Sequence, residues 1–180
     1  GDRVTVRSTS PETIPALASL MTGKDPDETG VWFDEPARIP ADARCLAEVL
    51  RERGYHTVAV TAQGLVSPRT GLARGFDEFL GASYPADQPV LGDEAGHLLP
   101  PKGGYIAARD VVDRVGRMLR EGLAKKRLFL WVHLGDLESA ADQADPAAAY
   151  VKGLADVDTA LADLRTGLAT YGASDVVVVV

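Results

Sequence analysis

Thr13-Ile14-Pro15-Ala16-Leu17-Ala18-Ser19-Leu20-Met21-Thr22-Gly23 is the stretch on which the reading of this chain turns. A hydroxyl side chain is followed two positions on by a proline, then by a small-residue run of helical character that closes on Thr-Gly. Upstream, Ser10 is placed to cap a helix with Pro11 at its first position. Thr13 then falls in the first turn, where free backbone N–H groups and the helix dipole favour an anionic group. Gly23 suits the helix end. Taken alone, the segment is equally an ordinary capped helix in which Thr13 is a spare hydroxyl, because short motifs match by chance.

The rest of the chain supplies a context of alternating helices and short apolar strands. Val4-Thr5-Val6 reads as a short strand, and the proline-rich stretch from Lys24 to Asp42 as a loop. A helix is predicted from Asp42 to Arg53, stopped by Gly54, and a strand over Tyr55–Thr61. The Gly- and Pro-rich region from Gln63 to Lys102 reads as long loops. A helix over Tyr105–Lys125 carries the stripe Ala108, Val111, Val112, Val115 and Leu119. Arg127–His133 is a strand apolar enough for burial on both faces. A longer helix over Pro146–Thr170 carries Tyr150, Leu154, Val157, Leu161, Leu164 and Leu168. The chain then enters the all-valine run Val176–Val180. This alternation predicts one α/β domain over residues 1–180, with a mainly parallel sheet covered by helices on both faces. A strand as apolar as the last one belongs in the middle of a sheet, so the chain reads as a domain truncated at both ends.

Composition narrows the function classes. With 180 residues, 46% of them hydrophobic and 25% charged, the chain can bury a globular core. A formal net charge of −7 and a pI near 4.9 exclude nucleic acid as the expected partner, which needs a basic face. The dense basic cluster Lys125-Lys126-Arg127 is expected to complement a helix C-terminus. Cys45 is the sole cysteine, so an intrachain disulfide is impossible, and its place in an amphipathic pattern marks it as a small core residue. No signal peptide or membrane-spanning run is visible.

Four further segments, in order, resemble one family. The Thr13–Gly23 stretch resembles the signature of the sulfatases, in the alkaline phosphatase superfamily, where Cys or Ser (Thr in some relatives) precedes x-Pro and the run ends in Ala-Ser-Leu-Leu-Thr-Gly. The helix before Gly54-Tyr55-His56-Thr57 and the strand after it resemble the family's next element. Arg74-Gly75-Phe76-Asp77 resembles its Gly-Phe-Asp turn, and Phe129–His133 followed by Asp136 resembles the strand that leads to Asp-Pro-His. Ala149-Tyr150 with Val157-Asp158 resembles the helix before the strand that introduces Thr-Ser-Asp-His-Gly. The resemblance implies an alkaline-phosphatase-like fold and hydrolysis of a small-molecule sulfate or phosphate ester. It also implies a divalent cation (calcium, magnesium or zinc) in the complete domain. That ion would be held by an N-terminal Asp pair and a C-terminal Asp-His, neither of which this chain contains.

Residue by residue, the resemblance implies Thr13 as catalytic nucleophile. Thr cannot be matured to formylglycine, and fits the phosphotransferase and phosphodiesterase branches better. Leu17 stands at the signature Arg, Leu137-Glu138 stand where Pro-His would, and Ala62-Gln63-Gly64 offer no Lys-x-His pair. A Glu beside an anionic ester repels it. His133, at the carboxyl end of a strand, is the candidate substrate contact, with a plain structural histidine as the alternative. His56 and His97 are expected to have no site role. Asp136, Glu138, Asp142 and Asp145 are expected to form a solvated acidic loop with no metal site. Two functions follow: a sulfatase-like ester hydrolase, inactive as this chain, or a degenerate member kept as a binding or scaffold module. An unrelated nucleotide-binding α/β domain lacks its glycine-rich phosphate loop.

Overall fold

The computed structural model describes residue 5 and residues 7–33, 38–81, 91–92, 98–99, 105–123 and 126–171. Strand β1 (His56–Thr61) runs through the middle of a three-stranded sheet, with β2 (Glu78–Gly81) on one side and β5 (Leu128–His133) on the other. Both pairings are parallel: Val58 lies opposite Glu78 and opposite Leu130, and Thr61 opposite Gly81 and His133. The strands expected over Tyr55–Thr61 and Arg127–His133 therefore lie side by side in a parallel sheet. The valine run Val176–Val180 and the Val4-Thr5-Val6 strand lie outside the described residues, apart from Thr5 itself.

The alternation of side chains along β1 assigns each face of the sheet its helices. Val58, Val60 and Ala62 pack with α4 (Ala108–Arg120) and α6 (Pro146–Thr170). Ala59 turns the other way, to α1 (Thr13–Thr22) and to Ala47 of α3 (Leu46–Glu52). β5 follows the same rule, Leu128, Leu130 and Val132 facing α4 and α6, and Phe129 and Trp131 facing α1. Helices thus cover both faces of a parallel sheet, which is why β1 is apolar or small on every residue after His56.

The α4 stripe falls as read from sequence, with Ala108, Val111, Val112, Val115 and Leu119 all buried. The α6 stripe does not. Leu164 and Leu168 are buried and Val157 and Leu161 half-buried, but Tyr150 and Leu154 are 50% and 51% exposed. The first turns of α6 instead seat Gly153 on α5 (Asp136–Ser139), where an added Cβ would lie 3.2 Å from the Asp136 carbonyl oxygen. Close backbone approach, not apolar area, sets the rotation of the helix there. β5 differs too: every residue of it keeps partial exposure, since it borders the described sheet.

The region read as loops from Gln63 to Lys102 holds more structure than expected. It contains β2, a 3-10 turn at Pro68–Thr70, and a short antiparallel pair of β3 (Leu91–Gly92) with β4 (Leu98–Leu99). The Arg74–Asp77 turn locks β2 beside β1. Phe76 stacks on Phe129 and Trp131 at ring separations of 5.7 and 5.9 Å. Arg74 donates to the Pro40 and Ala43 carbonyls and to Cys45 Sγ, fixing the chain that leads into α3. Cys45 is buried, as expected.

At the amino edge of the sheet, His56 is bracketed by Asp77 (3.2 Å) and Glu78 (2.9 Å), with Lys126 Nζ 3.2 Å from the same ring. Its side chain ties β1 to the turn and strand of β2, a structural partnership that the sequence did not reveal. Lys126 lies beyond α4, which stops at Arg120, and its N–H donates to the Leu123 carbonyl at 3.2 Å.

Candidate active site at the carboxyl edge

The opposite edge of the sheet gathers the residues that the sequence singled out. Helix α1 begins at Thr13, not at Pro11. Glu12 is the residue preceding the helix, extended and without a side-chain cap bond. Ser10 Oγ accepts the Glu12 N–H at 3.1 Å, so it shapes the approach to the helix and does not cap it. The correction sharpens the position of Thr13: it is the first helical residue, at the positive end of the dipole.

The Thr13 hydroxyl donates to Glu138 Oε1 at 3.2 Å. Gln63 Nε2 donates to the same oxygen at 3.0 Å and lies 3.5 Å from the Tyr105 hydroxyl. Each partner arrives from a different element. Gln63 follows β1, where the chain bridges to Tyr105 just ahead of α4, and Ile106 N–H donates to the Ala62 carbonyl at 2.7 Å. Glu138 sits on α5, after β5. Three consecutive-element connections therefore meet at the carboxyl ends of β1 and β5, where ligand sites of open α/β sheets lie.

Leu17, one turn along α1 from Thr13, packs into the core on the α1 face. An apolar core contact thus occupies the place of the signature guanidinium. His133 closes β5 opposite Thr61, with its ring 6.2 Å from that of Trp131. Burial lowers its pKa to about 4, so the imidazole is neutral at pH 7 and brings no positive charge to the edge. Its Nδ1 is buried without a hydrogen-bond partner among the described residues.

The expected acidic loop is ordered into helical turns. Asp136 Oδ1 accepts the Ala108 N–H at 3.0 Å and so caps α4. Asp145 accepts the Ala148 N–H at 3.1 Å and caps α6. Glu138 joins the Thr13 cluster, and the side chain of Asp142 and the whole of His97 lie outside the described residues. Sequence reasoning named Glu138 as a misplaced partner and as part of a solvated acidic loop. It met Gln63 only where a Lys-x-His pair was missing and Tyr105 only as the start of a helix, and assigned neither a place at the site.

Among the described residues, no three His, Cys, Asp or Glu side chains come together to hold a metal ion. No helix among them is long and apolar enough to cross a membrane.

A parallel sheet sandwiched by helices carries a hydroxyl at a helix N-terminus on its carboxyl edge. The fold is similar to that of a protein in the alkaline phosphatase superfamily from Vibrio parahaemolyticus, aligned over 89% of this chain at a TM-score of 0.52 and 16% identity. A structure described under the metabolism of multiple glycosaminoglycans by Bacteroides thetaiotaomicron covers 91% of the chain at a TM-score of 0.59 and 17% identity. The chain belongs to the sulfatase family, whose model matches residues 4–180. It is also similar to an ulvan-active sulfatase of Formosa agariphila, 38% identical over 50 residues, or 28% of this chain and 10% of that protein. The chain spans 47% and 40% of the lengths of the two structures, so it corresponds to less than half of either.

Proposed function

We propose that the chain is a sulfatase-like hydrolase unit, directed at a small-molecule sulfate or phosphate ester, that does not turn the ester over by itself. The family match and the place of Thr13 at a helix N-terminus on the carboxyl edge support the ester class. In this reading Thr13 holds the nucleophile position, and His133 offers a neutral hydrogen-bonding contact to substrate.

The single observation that supports the lack of turnover is the Glu138 carboxylate hydrogen-bonded to Thr13. In-line displacement on a sulfate or phosphate puts dense negative charge on the equatorial oxygens. A fixed carboxylate 4 Å away opposes that charge by about 4 kcal/mol at an effective dielectric of about 20. Sulfatases typically rely on a divalent cation to polarise the ester. Among the described residues no three His, Cys, Asp or Glu side chains assemble a shell for one, and the Thr13 hydroxyl donates to the Glu138 carboxylate. Removal of one preorganised donor costs on the order of a hundredfold to a thousandfold in rate. Here the positions of Arg and His are taken by Leu17 and Glu138.

The half-buried packing of Leu17 against the core also favours a second reading, a degenerate member kept as a binding or scaffold module, since an apolar side chain stands at the guanidinium position. The test is direct. The purified chain is titrated with calcium, magnesium, manganese and zinc, then assayed on aryl sulfate, phosphate monoester and phosphate diester, with Thr13→Ala as control. No turnover above that control is expected. Metal-dependent turnover that Thr13→Ala abolishes would refute the closed-site reading.

A further inference from the structure

At the amino edge of the sheet, one ring nitrogen has two partners that it cannot serve at once. His56 Nε2 lies 2.9 Å from Glu78 Oε1 and 3.2 Å from Lys126 Nζ. An ionised carboxylate only accepts hydrogen bonds and an ammonium only donates them. Nε2 therefore bonds Glu78 only while it carries a proton, and bonds Lys126 only while it is a bare lone pair. The other nitrogen has no such choice. Nδ1 lies 3.2 Å from Asp77 Oδ2, and without a proton it would set lone pair against lone pair. Asp77 stays ionised there, because the Thr57 N–H donates to its Oδ2 at 3.0 Å and holds the carboxyl below its ordinary range. Nδ1 keeps its proton, and the proton that comes and goes is the one on Nε2.

We propose that His56 is a proton-operated latch that exchanges the partner of β1 between Glu78 on β2 and Lys126 on the approach to β5. With both nitrogens protonated, the imidazolium holds Glu78 and turns Lys126 away. With Nε2 bare, the ring accepts from Lys126 and releases Glu78. Histidine is the side chain whose ordinary charge change falls between about pH 5 and 8. The other charged groups around it are engaged elsewhere. Arg127 lies over the Tyr55 ring, 4.2 Å from its centroid, and Arg51 of α3 acts on Asp77. The exchange is cheap because the ring is enclosed while its partners are not. The His56 side chain is 19% exposed, Glu78 is 43% exposed and Lys126 is exposed, so the dismissed partner turns to water and is not left buried without a counter-charge. The contact also sits where it matters for the sheet. Glu78 opens the pairing of β2 with β1, opposite Val58, so its release loosens the first rung of a four-residue strand. The hold on β2 is present on the acidic side and is lost as the pH rises through the titration of the ring.

The experiment follows the imidazole 15N signals of His56 in the wild-type chain from about pH 5 to 8, assigned by through-bond correlation to its backbone. Both nitrogens are expected to be protonated at the acidic end, and Nδ1 alone at the basic end. A ring that ends protonated on Nε2 and bare on Nδ1 overturns the proposal, and so does one whose protonation never changes across the range. Double-mutant cycles then identify the partner in each state, pairing His56→Gln with Glu78→Gln and with Lys126→Met in urea at about pH 5.5 and 8. The coupling to Glu78 is expected to favour folding about threefold at the lower pH, the scale of a partly exposed pair, and to vanish at the higher. The coupling to Lys126 is expected to change sign, from unfavourable to favourable. Couplings that are the same at both pH values mark a fixed structural contact and overturn the latch. If a variant does not fold, the tautomer of the wild-type ring at the basic end decides the matter alone.

Discussion

Gly75→Ala is expected to be among the most damaging single-methyl additions available in this fold. Gly75 has φ +84°, in the left-handed region where an alanine costs about 1–2 kcal/mol. A Cβ there would also lie 2.2 Å from Glu48 N and 2.6 Å from both Ala47 C and Glu48 Cα. These are backbone atoms at the start of α3, so no rotamer change relieves the clash. The turn has to lift. Lifting strains two hydrogen bonds, Thr57 Oγ to the Gly75 carbonyl at 2.7 Å and Arg74 to the Pro40 carbonyl at 2.9 Å. Each is worth about 1 kcal/mol net. The expected loss is roughly 4 kcal/mol, in the range reserved for severe mutations. Gly54→Ala is the control, because Gly54 has nearly the same φ, +83°, yet an added Cβ meets nothing within 4 Å. It loses the conformational part alone. The difference between the two variants, at least about 2 kcal/mol, isolates the clash. In urea, with a slope of about 2 kcal/mol/M, it separates their midpoints by about 1 M. Trp131, stacked on Phe76, is the fluorescence reporter. Coincident midpoints for the two variants would show that the turn yields freely and that the packing argument is wrong.

Two further outcomes are expected. His133 has a folded-state pKa near 4, below its ordinary 6.5, so the unfolded chain binds more protons between those values. Its contribution, of order 3 kcal/mol, is complete above about pH 6.5 and is lost as the pH falls towards about 4. Unfolding titrations of wild type and His133→Gln across pH 4–7.5 should diverge by that amount, and parallel curves would contradict it. On α6, Leu164→Ala should cost about 2–4 kcal/mol and Leu154→Ala less than about 0.5 kcal/mol, because only the first is buried. Equal losses in chemical denaturation would mean that the helix is rotated from the orientation described.

The parts of the fold that sequence exposed are those in which one periodicity acts alone. β1 and β5 are short apolar runs covered on both faces and α4 buries a single stripe, so an unbroken apolar run or a 3.6-residue rhythm locates them. α6 has the same rhythm, but its first turns answer to the contact of Gly153 with α5, which no apolar count registers. β2 escaped because four residues between turns carry too little pattern, and because its place depends on aromatic stacking of Phe76 with a strand far along the chain. At the site, the position of Thr13 was legible from its Pro-containing run. Its partners were not. Gln63 and Tyr105 gain meaning only when the ends of β1 and β5 come together, and the Ser10-Pro11 cap failed because the hydroxyl closes a turn one step too early.

The central place of β1 also orders events in time. Val58 pairs with Glu78 close by in the chain and with Leu130 much farther on. Closing the longer loop costs only roughly 1 kcal/mol more in chain entropy, but on a ribosome adding about 5–20 residues per second it has to wait several seconds. During that interval one side of β1 presents an unpaired, apolar edge. The nascent chain is therefore most open to mispairing while α4 is being made, and slowing translation past Arg120 should lengthen that exposure.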